Sequence, residues 1–223
     1  MFAGVIFDLD GVIADTHPIH RQAWRQLLLE AGQQVSEKEL DFVLEGRKRE
    51  EILRHFLGSL SAAEILHYGE RKDELFYESA AGLRTIPGII DFLHQLDSAG
   101  VPKAVATSAS KRRAHQVLEL LGLAGRFCAV LTGDDVAEGK PDPSILYLAA
   151  SCLQVMPHQS LVAEDSVAGV RAAKSAGMKC LGIASGVLGP RLCHEGADYV
   201  VPNFDGLSFE RLESCGNYSH RHK

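Results

Sequence analysis

The sequence predicts an α/β fold, a Rossmann-like doubly wound parallel sheet with an inserted all-α helical cap domain. Three observations predict it. Six short apolar runs have strand length, and several are unbroken rather than alternating, as expected of strands covered on both faces. Segments with helical spacing separate most of them from about residue 85 onward. Between residues 16 and 82 the alternation stops and only amphipathic helical patterns occur. The expected domains are a core from 1–15 and 83–223 and a cap from 16–82.

The expected strands are 4–9, 101–107, 128–132, 160–164, 179–184 and 198–201. The core helices are expected over 87–96, 110–121, 141–153 and 166–176, and Gly100, Gly122 and Gly177 follow three of them as stops. Pro141-Asp142-Pro143 suits a first helical turn. In the cap, Ile19, Ala23, Leu27 and Ala31 share one helix face that ends at Gly32. Ser36 with Glu39 and Ser61 with Glu64 each read as a capping box opening a helix. The insert follows strand 1 at its carboxyl end, the edge where open sheets bind ligands, so it is placed to act as a lid.

Composition narrows the function. Of 223 residues, 46% are hydrophobic and 23% charged, which is ordinary for a folded globular chain. A net charge of −6 gives no general footprint for nucleic acid or an anionic membrane. No apolar run reaches membrane-span length, and the first residues lack the basic start of a signal peptide. Five cysteines without a CxxC are read as reduced thiols, mostly core filler, in a cytoplasmic protein. The tail after Leu212 is polar, and its two histidines suggest no built metal site. A monomer is the expected state.

Four places carry chemistry. Asp8 and Asp10 end the first strand before Gly11. They read either as a plain Asp-Gly turn or as an acid pair needing a cation. Thr107-Ser108-Ala109-Ser110 ends the second strand and opens a helix, giving hydroxyls and free N–H groups for an anion, or a simple serine cap. Lys140 precedes another helix, as a phosphate counter-charge or a surface lysine. Glu164-Asp165 ends the fourth apolar run, as a helix-capping pair or as hard oxygen ligands suited to Mg²⁺. All four lie at strand ends or helix starts, and together they suit phosphoryl transfer to an attacking carboxylate. A dinucleotide enzyme is disfavoured because no GxGxxG follows a strand. Receiver domains use a similar set of residues but are shorter and lack a large insert after strand 1.

These residues resemble the four motifs of the haloacid dehalogenase superfamily over nearly the whole chain. Asp8-Leu9-Asp10-Gly11-Val12 looks like the first motif, Ser108 the second, Lys140 the third and Glu164-Asp165 the fourth. The helical insert resembles the cap of the subgroup containing β-phosphoglucomutase and many small-molecule phosphatases. The resemblance implies Asp8 as nucleophile and Asp10 as general acid and base. It implies Mg²⁺ held by the Asp8 carboxylate, the Asp10 carbonyl, Glu164 and Asp165. Ser108, the Ala109 N–H and Lys140 would hold the transferring phosphoryl group.

It also points to Thr16, His20, Trp24, Gly46, Arg49, Lys72, Ser110 and Lys111 as mutase-like positions. Among them Arg49 would grip a distal phosphate, and His20 and Lys72 would couple cap closure to substrate. Trp24 also reads as packing, His20 as a partly buried histidine, and Arg47, Lys48 and Arg49 as a solvated basic run. Against the mutase, Glu45-Gly46-Arg47-Lys48-Arg49 departs from its Lys-Gly-Val-Ser-Arg, and Arg112 replaces an asparagine. The leading expectation is a phosphatase for a small phosphorylated substrate such as a sugar phosphate; the alternative is the mutase.

Overall fold

The computed structural model describes residues 2–214; Cys215, His220 and His222 lie outside them. In chain order, β1 (Gly4–Phe7) leads into the cap helices α1 (His17–Glu30), α2 (Arg49–Leu57) and α3 (Ala62–Glu78). The chain then returns through α4 (Ile89–Ser98), β2 (Lys103–Ala106), α5 (Lys111–Leu120), β3 (Ala129–Leu131) and α6 (Ser144–Leu153). It ends with β4 (Ser160–Glu164), α7 (Val167–Ser175), β5 (Lys179–Ile183), α8 (Leu188–His194), β6 (Tyr199–Val201) and α9 (Phe209–Ser214). The sheet order is β3-β2-β1-β4-β5-β6, and every pairing is parallel. The order reverses between β1 and β4, which makes their carboxyl ends the switch point of a doubly wound sheet.

Alternation along the strands fills two layers. Val5 and Phe7 face one core with Phe92 and Phe204, and the Phe7 and Phe92 rings meet edge-on at 6.2 Å. Ile6, Ala104 and Val162 face the other, against Ile145 and Leu146 of α6 and Val170 of α7. Truncating the fully buried Phe7 to alanine removes about 3–5 kcal/mol.

All six expected strands form, most of them trimmed at the ends. β1 stops at Phe7 because the chain bends after Asp8, whose N–H still reaches the Ala163 carbonyl at 2.9 Å. Gly11 makes that bend at φ +72°, and a Cβ there would lie 1.9 Å from Asp165 Oδ2. The site therefore needs glycine for both conformation and space. The Pro141-Asp142-Pro143 segment forms a turn ahead of α6 rather than its first turn, with Asp142 Oδ1 accepting from the Ser144 N–H at 2.9 Å.

The cap buries Ile19, Ala23, Trp24, Leu27 and Leu28 of α1 with Leu75 and Phe76 of α3. The Ser61 capping box opens α3 as expected. The Ser36 box opens only a six-residue 3₁₀ turn, Glu39–Leu44, because Gly46 at φ +77° then sends the chain toward the core. Only Cys180 is a core cysteine among the described residues; Cys128 and Cys152 are exposed and Cys193 half-buried, since the last three fall at strand and helix margins. No helix among the described residues is long and apolar enough to cross a membrane.

Candidate active site

The carboxyl ends of β1, β2 and β4 bring Asp8, Lys140 and Glu164 together. Lys140 Nζ donates to Asp8 Oδ1 at 2.6 Å, to the Ala106 carbonyl at 2.9 Å, and to Glu164 Oε1. The lysine is buried. Burial alone would lower its ammonium, but the Asp8 and Glu164 carboxylates outweigh burial and hold it above its ordinary range. Burial raises the Asp8 carboxyl well above its usual value; Lys140 opposes this, and Glu164, Asp165 and Asp10 reinforce it.

Asp10 belongs to a different network, facing the cap. Thr16 Oγ1 donates to its Oδ1 at 2.7 Å, and Arg113 donates to both oxygens at 2.9 and 2.8 Å. His20 Nε2 lies 3.1 Å from Oδ1, and Lys72 Nζ lies 2.9 Å from His20 Nδ1. Arg113 Nη1 also lies 3.1 Å from His20 Nε2, so the imidazole sits between Lys72 on one side and Asp10 and Arg113 on the other. Burial would raise Asp10, but Arg113 and His20 hold it well below its ordinary range. Burial, then Lys72, lowers His20 to about 3. Lys72 is itself lowered far by burial and by Arg113, over the rings of Phe76 and Trp24.

The phosphate-binding candidates are already bonded. Ser108 Oγ donates to the Gly46 carbonyl of the cap at 2.7 Å, and the Ala109 N–H donates to Thr107 Oγ1 at 3.1 Å. Ser110 caps α5 and also donates to Asp73 Oδ2 at 3.2 Å. Arg49 Nη2 donates to that same oxygen at 2.6 Å. Lys48 Nζ fastens the cap to the core carbonyls of Val136 and Ala137, at 2.6 and 3.0 Å. The cavity left between cap and core is about 70 Å³, against roughly 300–1,000 Å³ for ligand pockets in general. The cap is drawn down against the core, and the cavity is too small for a ligand of that size.

The donor set fits a hard divalent cation. Asp165 Oδ2 is buried and accepts no aligned hydrogen bond, although His17 Nε2 stands 2.8 Å away. Burial raises Asp165 too, and Asp165 in turn lifts His17 to about 9 against the effect of burial. With Asp10 held by Arg113, the Asp8, Glu164 and Asp165 carboxylates face only Lys140 and His17, which leaves negative charge that suits Mg²⁺. Glu164, expected as a ligand, spends both oxygens otherwise: Oε1 on Lys140, and Oε2 on the N–H groups of Asp165 and Ser166. With Lys140 between Asp8 and Glu164, the described residues contain no ready-made cage of three acidic, histidine or cysteine ligands.

The profile of haloacid dehalogenase-like hydrolases matches residues 5–183. The chain belongs to that family. As a member it is 33% identical to the β-phosphoglucomutase of Bacillus subtilis, over 93% of this chain and 92% of that protein. It is 36% identical to a phosphorylated carbohydrates phosphatase of Thermotoga maritima, over 78% and 82% of the two. A crystal structure of β-phosphoglucomutase from Clostridium difficile superposes with a TM-score of 0.86 at 29% identity, covering 96% of each chain.

Within this haloacid dehalogenase-like hydrolase, Asp8, Asp10, Ser108, Ala109, Ser110, Asp165, His20, Trp24, Arg49 and Lys72 line one cavity, with Lys140 buried behind Asp8. Lys111 does not join them. Its side chain is exposed and its N–H goes to Asp134, because successive helical residues are turned about 100° apart. The basic run is also divided: Arg47 pairs with Glu45, Lys48 holds the core, and Arg49 turns to Asp73. Sequence reasoning missed Arg113, Asp73 and His17. Arg113 lies three residues after Ser110 on the same helix face, a spacing that was available as a signal.

Proposed function

We propose that this hydrolase removes the phosphoryl group from a small phosphorylated carbohydrate through a covalent phosphate on Asp8. The observation that carries the reading is the buried Asp8–Lys140 pair at the sheet's switch point, 2.6 Å apart, with Asp10 nearby in a separate network. The similarity to a phosphorylated carbohydrates phosphatase supports the substrate class.

An Asp8 oxygen attacks phosphorus, the ester P–O bond breaks, and the departing oxygen takes a proton from Asp10. Water then attacks the aspartyl phosphate, giving its proton to Asp10, and the Asp8–phosphorus bond breaks to release phosphate. Lys140 favours the ionised form of Asp8 against the effect of burial and balances charge on the transferring group. Ser108 and the Ala109 N–H hold the phosphoryl oxygens once the cap lifts and Ser108 leaves Gly46. Asp8, Asp165 and the Asp10 carbonyl would hold Mg²⁺, with Glu164 orienting the loop. The ion would supply charge neutralisation beside Asp8 and the phosphoryl oxygens. Asp10 must leave Arg113 to carry a proton, because a guanidinium has no acceptor to share one. The substrate's arrival therefore rearranges the cap network before chemistry.

A second reading, the mutase, is favoured by the similarity to the Bacillus subtilis protein over 93% of the chain. Phosphorus NMR separates the two. The protein is incubated with Mg²⁺ and β-glucose 1-phosphate, primed with a trace of the 1,6-bisphosphate, beside a panel of other sugar monophosphates. Inorganic phosphate release, lost in Asp8→Asn, is the expected result. Accumulation of glucose 6-phosphate makes the protein a mutase, and activity undiminished in Asp8→Asn removes the nucleophile.

A further inference from the structure

We infer that Asp73 sets the charge of the substrate: its carboxylate, bonded to Arg49 and Ser110, makes the cap side of the pocket select an uncharged polyol over a second phosphate. The inference rests on the phosphatase reading for the identity of the site and adds the class of leaving group.

Three guanidinium groups line the cavity, those of Arg47, Arg49 and Arg113. Each already holds a carboxylate. Arg47 pairs with Glu45 at 3.1 Å and Glu51 at 3.4 Å. Arg113 holds Asp10 through both nitrogens. Arg49 holds Asp73 Oδ2 at 2.6 Å, and the Ser110 hydroxyl donates to the same oxygen at 3.2 Å. Arg49 and Ser110 are the cap-side and core-side groups best placed to receive a second anion, and one buried aspartate from α3 occupies both. Lys72 adds little free charge, since burial disfavours its ammonium and its nearest polar partner is His20.

Displacing Asp73 is not a simple exchange. Its side chain is only 7% exposed, and its second oxygen, Oδ1, has no hydrogen-bond partner. A phosphate taking Arg49 would leave this carboxylate buried, unpaired and beside a dianion. Sugar hydroxyls meet no such penalty. Arg49 still has Nε–H and Nη1–H groups to offer them, whereas the Ser110 hydroxyl is fully used, accepting from Arg49 Nη2 and the Arg113 N–H and donating to Asp73. Discrimination here comes from a repulsive group as much as an attractive one.

The test is direct binding without turnover. Fructose 1-phosphate and fructose 1,6-bisphosphate are titrated calorimetrically, with Mg²⁺, into Asp8→Asn and into Asp8→Asn carrying Asp73→Asn. Like-charge juxtaposition predicts that Asp8→Asn binds the monophosphate at least about 10-fold tighter than the bisphosphate. Asp73→Asn, which keeps the shape and removes the charge, shrinks or reverses that ratio by about 10-fold. Asp73→Ser, read alongside thermal unfolding of both variants, shifts the ratio in the same direction. A bisphosphate bound as tightly as the monophosphate, no binding of the monophosphate, or a ratio unmoved in the folded variants overturns the inference. Failure of the native enzyme to release phosphate from any ester sinks the phosphatase reading instead, since the titrations require no catalysis.

Discussion

Arg113 of α5 grips both carboxylate oxygens of Asp10, with Nη1 on Oδ1 at 2.9 Å and Nη2 on Oδ2 at 2.8 Å. The pair joins the core to the cap, because Thr16 and His20 bind the same Asp10 oxygen from the cap side. Removing either partner strands a largely buried charge. Arg113→Ala is expected to cost about 3 kcal/mol of stability by urea unfolding, and Asp10→Asn somewhat less. The double variant should cost clearly less than the two singles added, by about 1–3 kcal/mol. Strict additivity would show that the pair is not coupled in solution.

Asp165 offers a metal test that does not depend on catalysis. A cation that binds only the folded acidic cluster raises the melting temperature with its concentration. Millimolar Mg²⁺ is therefore expected to raise Tm in the native protein, and Asp165→Asn to abolish most of that rise. In EDTA the same variant should melt no lower than the native protein, because burial, with Glu164 and Asp10, outweighs the His17 contact and makes the ionised Asp165 carboxyl unfavourable in the fold. An undiminished Mg²⁺ shift in Asp165→Asn places the ion elsewhere.

Asp198 gives the pH dependence a clean reporter away from the active site. Burial would raise its carboxyl, but Lys174 at 2.6 Å, Lys179 at 2.7 Å and the Cys180 N–H at 2.9 Å outweigh burial and hold it below its ordinary value. A carboxyl depressed in the folded state contributes stability that is fully present above the unfolded value. That stability is lost as pH falls through the folded one. Asp198→Asn should therefore lower Tm at pH 7, and the gap to the native protein should close as pH falls below about 4. A gap independent of pH would assign the loss to packing.

What the sequence made legible, and what it hid, follows from the range of the forces involved. Asp8, Ser108, Lys140 and Glu164-Asp165 were readable because each sits at a boundary that local signals mark: an apolar run ending, a cap residue, a glycine. The parallel sheet was readable from unbroken apolar runs. Partner choice was not. Arg113 finds Asp10 across 103 residues and Arg49 finds Asp73 across 24, and no local pattern encodes which acid faces which base. The short helix α8 was missed for another reason: seven residues with Gly189 and Pro190 carry too little periodicity to register. Glu164 shows the limit of motif reasoning, since its place was legible and its bonds to Lys140 and the following N–H groups were not.

Lys48 fastens the lowered cap, and loosening it should show how the pocket opens. Its Nζ reaches the carbonyls of Val136 and Ala137 at 2.6 and 3.0 Å, while two residues earlier the Gly46 carbonyl takes the Ser108 hydroxyl. A Cβ on Gly46 would lie 2.4 Å from Ser166 Oγ, so the strap runs hard against the core here. Removing the lysine leaves two carbonyls to water and costs the closed state about 1.5–3 kcal/mol, the range for hydrogen bonds from a charged donor. Amides from 45 to 49 should then exchange about 10-fold faster or more in Lys48→Ala, while amides of β1 and β4 stay protected. If substrate entry through the lifted cap limits capture, the same variant lowers KM; if closure over the bound ester limits it, KM rises and kcat falls. Exchange unchanged at 45–49 would mean that Ser108 and Gly46 hold the cap without help from Lys48.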